Sequence, residues 1–126
     1  MPKWVHADVL DGGLNAIKTG ASKMLLISAY AAADSYATVT GAKLAEVAMV
    51  SGDYTLSSSG SNRVLTTASG KTATASAGSA TPDLHIAFTD GASKVLWVTD
   101  ETSDQAITSG NTINFPALTY TSNQPT

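Results

Sequence analysis

The sequence predicts a mainly β domain, a β-sandwich or jelly-roll with one short N-terminal helix, on three observations. Apolar residues recur at helical spacing once, near the start, at Val9, Leu10, Leu14 and Ile17. From Lys23 onward, short apolar or alternating segments are separated by polar turns rich in Gly, Ser, Asn and Asp, which gives seven or eight candidate strands. A length of 126 residues supports one core and not two, so a single domain is expected over 1–126. Within it, 1–20 forms an arm and helix, 21–120 the β-sandwich, and 121–126 a polar tail.

The helix is expected over 7–19, with Gly20 as its stop. The Gly12-Gly13 pair weakens it by roughly 1 kcal/mol per glycine relative to alanine, so it needs tertiary support. Met24-Leu25-Leu26-Ile27-Ser28-Ala29-Tyr30 is an apolar run that suits a strand buried on both faces, followed by a loop over 31–36. Residues 44–50 fit either period, and the Ser51-Gly52-Asp53 turn after them favours a strand. Two segments, 54–57 and 63–67, flank Ser58-Ser59-Gly60-Ser61-Asn62 and read as a β-hairpin. The low-complexity stretch 68–82 is expected as a weak edge strand or exposed loop, with the highest mobility of the chain.

Residues 83–89 alternate, placing Leu84, Ile86 and Phe88 on the core face and turning His85 away from it. Val95-Leu96-Trp97-Val98 is apolar on both faces, as in a strand sandwiched between layers or lying at a subunit interface. Ile113, Phe115, Leu118 and Tyr120 support one or two last strands, broken at Pro116.

Composition narrows the function classes. Hydrophobic residues at 43% against 13% charged argue for a folded chain. A net charge of −3, with scattered Lys and Arg, gives no footprint for nucleic acid. No cysteine is present, so disulfides and thiolate metal sites are excluded, as fits synthesis in a reducing cytoplasm. Neither a secretory leader nor an apolar run of roughly 18 residues is expected from the sequence, so neither secretion nor membrane insertion is anticipated.

Motifs for chemistry are weak. His6-x-Asp8 and Asp83-x-His85 would offer two imidazoles and two carboxylates to a metal if the fold united them; the alternative is four surface polar residues, and no metal site is assigned. Gly70-Lys71-Thr72 lacks the earlier glycine of a phosphate loop, because Leu65 stands there. No Gly-x-Ser-x-Gly elbow accompanies the abundant serines. Asp100-Glu101-Thr102-Ser103-Asp104 lacks the ligand spacing of a calcium loop and reads as solvated. Trp4, Trp97, Tyr30, Tyr36, Tyr54 and Tyr120 could stack on sugar or base rings, but core and interface packing is the simpler use. No catalytic residue and no cofactor is expected.

The run Met1-Pro2-Lys3-Trp4-Val5-His6-Ala7-Asp8-Val9-Leu10-Asp11-Gly12-Gly13-Leu14, with Lys23-Met24-Leu25-Leu26-Ile27, resembles small virion structural proteins of tailed bacteriophages. So do Val95-Leu96-Trp97-Val98-Thr99-Asp100-Glu101 and Ile113-Asn114-Phe115-Pro116-Ala117-Leu118, and the likeness spans most of the chain. The resemblance implies a capsid decoration, or cement, protein made in the host cytoplasm and bound to the outside of the head. Its partners would be the phage major capsid protein and further copies of itself, as dimer or trimer, with no nucleic acid or membrane. The working parts would then be surfaces, with Trp4, Val5, His6 and Leu10 as the protein interface. A Trp this near a terminus suits an anchor in a partner pocket, though it could equally fold back on its own sheet. Trp97, within an apolar strand, is expected in the core. The competing readings are a tail or head-tail connector component and a carbohydrate-binding module.

Overall fold

The computed structural model describes residues 3–78, 84–100 and 106–125. The chain is mainly β with a short N-terminal helix, and its strands, all antiparallel to their neighbours, divide among three sheets. An arrangement as sandwich or jelly-roll goes beyond that division. Among the described residues there are nine strands, against seven or eight expected.

Helix α1 spans Ala7–Gly20 and buries Leu10, Leu14 and Ile17 of the stripe its spacing predicted, while Val9, also predicted on it, is left 66% exposed. His6 caps it, its ring Nδ1 accepting the Asp8 amide at 3.0 Å. Gly20 ends it against a wall, since a Cβ there would meet Leu96 Cδ1 at 3.3 Å. The tertiary support that Gly12 and Gly13 demand comes from packing of α1 on strands of two sheets and from two cross-links. Arg63 donates to Asp11 at 2.8 Å, and Lys18 donates to the Tyr54 carbonyl at 2.8 Å.

A four-stranded sheet has the order β2-β1-β6-β7, built from β1 Lys23–Ile27, β2 Lys43–Ala48, β6 His85–Thr89 and β7 Val95–Asp100. A second sheet, β3-β4-β9, comprises Tyr54–Ser59, Asn62–Thr67 and Thr119–Ser122, and a third pairs β5 Lys71–Thr74 with β8 Thr112–Phe115. The expected hairpin is the β3–β4 pair, and the expected weak edge strand is β5. Pro116 does divide the last two strands.

The main core lies where Met24, Leu26, Ile86 and Phe88 of the four-stranded sheet meet Leu14 and Ile17 of α1, Tyr54 and Leu65 of the second sheet, and Phe115 of the third. Tyr54 is 1% exposed, and its hydroxyl donates to the Ala21 carbonyl at 2.9 Å, joining the end of α1 to β3. Burial raises its phenol pKa well above the ordinary value. Two β-bulges explain segments whose apolar residues defy alternation. Register shifts beside Leu26/Ile27 and Phe88/Thr89 leave Leu44 and Leu96 as extra residues, so Leu44 with Ala45, and Leu96 with Trp97, turn toward the same core.

The opposite face of that sheet carries a smaller cluster of Leu25, Ile27 and Ala87, covered by Val39 of a second helix, α2, at Tyr36–Gly41. His85 lies on this face, away from the main core as expected, yet its side chain is only 18% exposed because the face is covered.

Several expectations need correction. The strand foreseen to Tyr30 stops at Ile27, because the Ser28 amide leaves the ladder for the Ala42 carbonyl at the end of α2. The 31–36 loop gives way at Tyr36 to α2, whose six residues bury only Val39 and so carry no repeat that a helical period could reveal. The polar tail foreseen over 121–126 starts inside β9, and Gln124 is bonded into the fold. The highest mobility foreseen over 68–82, and strand residue Asp83, fall partly or wholly on 79–83, outside the described residues, as does most of the acidic stretch after Asp100.

Candidate functional site

The N-terminal arm is held at two points. Both backbone groups of Val5 bond the side-chain amide of Gln124: the Val5 amide donates to Oε1 at 2.9 Å, and Nε2 donates to the Val5 carbonyl at 2.9 Å. Gln124 also donates from Nε2 to the Ser61 carbonyl at 3.0 Å, and its own amide donates to Asn62 Oδ1 at 2.8 Å. A primary amide holds a donor and an acceptor side by side, so one glutamine reproduces a rung of a β-ladder. One residue on, His6 is fixed as the cap of α1. Trp4 meets the His6 ring edge-on, with centroids 5.8 Å apart and planes at 88°. The indole is nevertheless 67% exposed, the most exposed large hydrophobic residue among those described.

Along α1 runs a groove of about 250 Å3. One wall is the flank of α1, with Val9, Gly13 and Ala16 above Leu10, Leu14 and Ile17; the other is Leu96 of β7 with Tyr120 and Ser122 of β9. Val9 is 66% exposed and Tyr120 43% exposed, and the groove presents as much polar as apolar surface. Tyr120 is braced edge-on against Trp97 at 5.5 Å, and Trp97 stacks on Phe88 at 4.6 Å with planes 11° apart. The groove is smaller than the roughly 300–1,000 Å3 of a small-molecule site.

Of the four residues expected at a protein interface, Trp4 and His6 are exposed, Val5 is partly buried in its bond to Gln124, and Leu10 is 6% exposed at the base of the groove. Trp97 is half-buried against the main core. Sequence reasoning missed the groove residues Gly13 and Ala16, although with Val9 they lie on one flank of a helix; it placed Val9 on the helix's apolar stripe, Leu96 in a strand between layers or at an interface, and Tyr120 among aromatics for core or interface packing.

The two histidines are not brought together, and Asp83 lies outside the described residues. His6 precedes α1, which packs on the main-core face of the four-stranded sheet, whereas His85 lies on the α2 face. There His85 Nε2 stands 3.7 Å from Asp100 Oδ1, and its ring tilts against Tyr30 with centroids 6.0 Å apart. Among the described residues no group of three or more His, Cys, Asp or Glu is placed to hold a metal ion. Comparison of the chain with protein families, with curated proteins and with solved structures finds no match.

Proposed function

We propose that this chain is a docking protein of a virion, a capsid decoration protein that binds the outside of a phage head and strengthens contacts between major capsid proteins. The observation that carries the reading is Trp4, presented to solvent on a backbone fixed at Val5 and His6. An exposed indole on a loose terminus would forfeit much of its binding energy on ordering; a braced one keeps it. The resemblance of the terminal and β7 segments to phage virion proteins supplies the virion context, and a small β-rich domain with apolar residues outside its own core suits a role at repeated interfaces. The working surface is Trp4, Val5 and His6, with Leu10 behind them, and no reaction is assigned to it.

The test is cryo-EM of particles from the phage that encodes the chain, or of capsids co-expressed with it. Density between capsid subunits on the outer head supports the reading. Density at the neck or tail transfers the protein to the connector, and absence from every particle removes it from the virion.

A further inference from the structure

We infer that Gln124 is a positioning residue for docking: its side-chain amide clasps Val5 and sets the direction in which Trp4 is presented, without itself touching the partner. This rests on the reading of Trp4 as the docking anchor, and adds the residue that determines how much of the indole's binding energy is realised.

The clasp is specific to glutamine. Gln124 Oε1 accepts the Val5 amide at 2.9 Å, and Nε2 donates to two carbonyls, that of Val5 at 2.9 Å and that of Ser61 at 3.0 Å. Both N–H bonds of the side-chain amide are therefore engaged, and its oxygen faces a donor. A glutamate would keep the acceptor but set an oxygen against two carbonyls. A lysine would donate but leave the Val5 amide unmet, and an asparagine is one methylene shorter. The main chain of Gln124 is fixed as well, its amide donating to Asn62 Oδ1 at 2.8 Å, so the clasp ties the arm to the β3–β4 turn.

The clasp acts on Trp4. Gln124 is partly buried and both of its side-chain donors are spent inside the molecule, whereas Trp4, one residue before Val5, is 67% exposed. His6, one residue after Val5, is held separately, capping α1 through Nδ1 and the Asp8 amide. Without the clasp the chain is anchored only from His6 onward. The backbone of Val5 and Trp4 is then free, and the indole keeps only its edge-on contact with the His6 ring. Re-ordering those residues on binding costs about tenfold in affinity for each.

Binding to heads of the phage that encodes the chain tests this, measured for the wild type, Gln124→Met, Trp4→Ala and the double variant, together with NMR relaxation at the Trp4 amide. Methionine matches glutamine in length and lacks its polar atoms. Gln124→Met is expected to keep the wild-type circular dichroism spectrum and to lower the order parameter of the Trp4 amide from about 0.85 to below about 0.6. Head binding should weaken by about tenfold to a hundredfold. In the Trp4→Ala background the same substitution is expected to change binding by less than about twofold, because a residue that acts through the indole has nothing to act on once it is gone. Equal losses in both backgrounds, or a Trp4 amide that stays rigid in Gln124→Met, overturn the inference while the docking reading stands. A Trp4→Ala protein that binds heads as well as the wild type removes the docking reading and, with it, this role of Gln124.

Discussion

Gly12 and Gly60 offer a matched test of how this fold is held. A Cβ added at either position meets no atom within 4 Å, so neither substitution by alanine creates a clash. They differ in backbone conformation. Gly12 lies inside α1 without a positive φ, whereas Gly60, in the β3–β4 turn, has φ of 62°. Alanine at position 12 removes the entropic penalty of a helical glycine and stabilises by about 0.5–1 kcal/mol. Alanine at position 60 must adopt the left-handed region and destabilises by about 1–2 kcal/mol. An unfolding entropy of about 2.1 cal/mol/K per residue makes each kcal/mol worth about 4 °C of Tm for a domain this size. Thermal melts followed by circular dichroism should show Gly12→Ala about 2–4 °C above the wild type and Gly60→Ala about 4–8 °C below it. A Gly12→Ala protein that melts at or below the wild-type temperature would refute the assignment of Gly12 to an exposed helical face.

Trp97→Ala removes the stack on Phe88 and the brace of Tyr120, and should lower stability by about 3 kcal/mol, the lower end for aromatic truncations because Trp97 is half-buried; urea denaturation measures it. The Asp90 carboxylate is held at about 2 by backbone amides of Lys94, Ser93 and Ala92. A depressed carboxylate contributes stability above its unfolded pKa and loses it as pH falls through the folded one. Asp90→Ala should therefore melt below the wild type at pH 6, with the gap narrowing between about pH 4 and 2; a gap constant across that window would disprove the linkage. Gln124→Ala frees both part-buried backbone groups of Val5 and should cost about 1–3 kcal/mol, the net value of two hydrogen bonds. Faster hydrogen exchange at the Val5 amide, with α1 amides unchanged, is the expected signature.

The elements legible in the sequence are those whose pattern is local. Leu10, Leu14 and Ile17 mark α1, Leu84, Ile86 and Phe88 mark the core face at β6, and the glycine between two apolar segments marks the β3–β4 hairpin. The illegible ones depend on distant partners. α2 is too short to display a period and is recognisable only because Val39 covers Leu25, Ile27 and Ala87. The bulges at Leu44 and Leu96 break alternation in a way that local reading registers only as apolarity on both faces, and that leaves open whether a segment is sandwiched or an interface. In β7 the apolar residues divide: Leu96 and Trp97 go to the main core, Val95 and Val98 to the smaller cluster.

The same contrast governs the site. Trp4 draws attention in the sequence by position, but whether it anchors a partner or folds back depends on the backbone that carries it. That backbone is fixed by a residue 119 positions away, in a stretch whose composition reads as a tail. The Gln124 amide satisfies the Val5 amide and carbonyl together, and its remaining donor ties the pair to the hairpin turn at Ser61. With Val5 so held and His6 committed to capping α1, Trp4 is held outward beside the His6 ring while the groove of its own chain stays open.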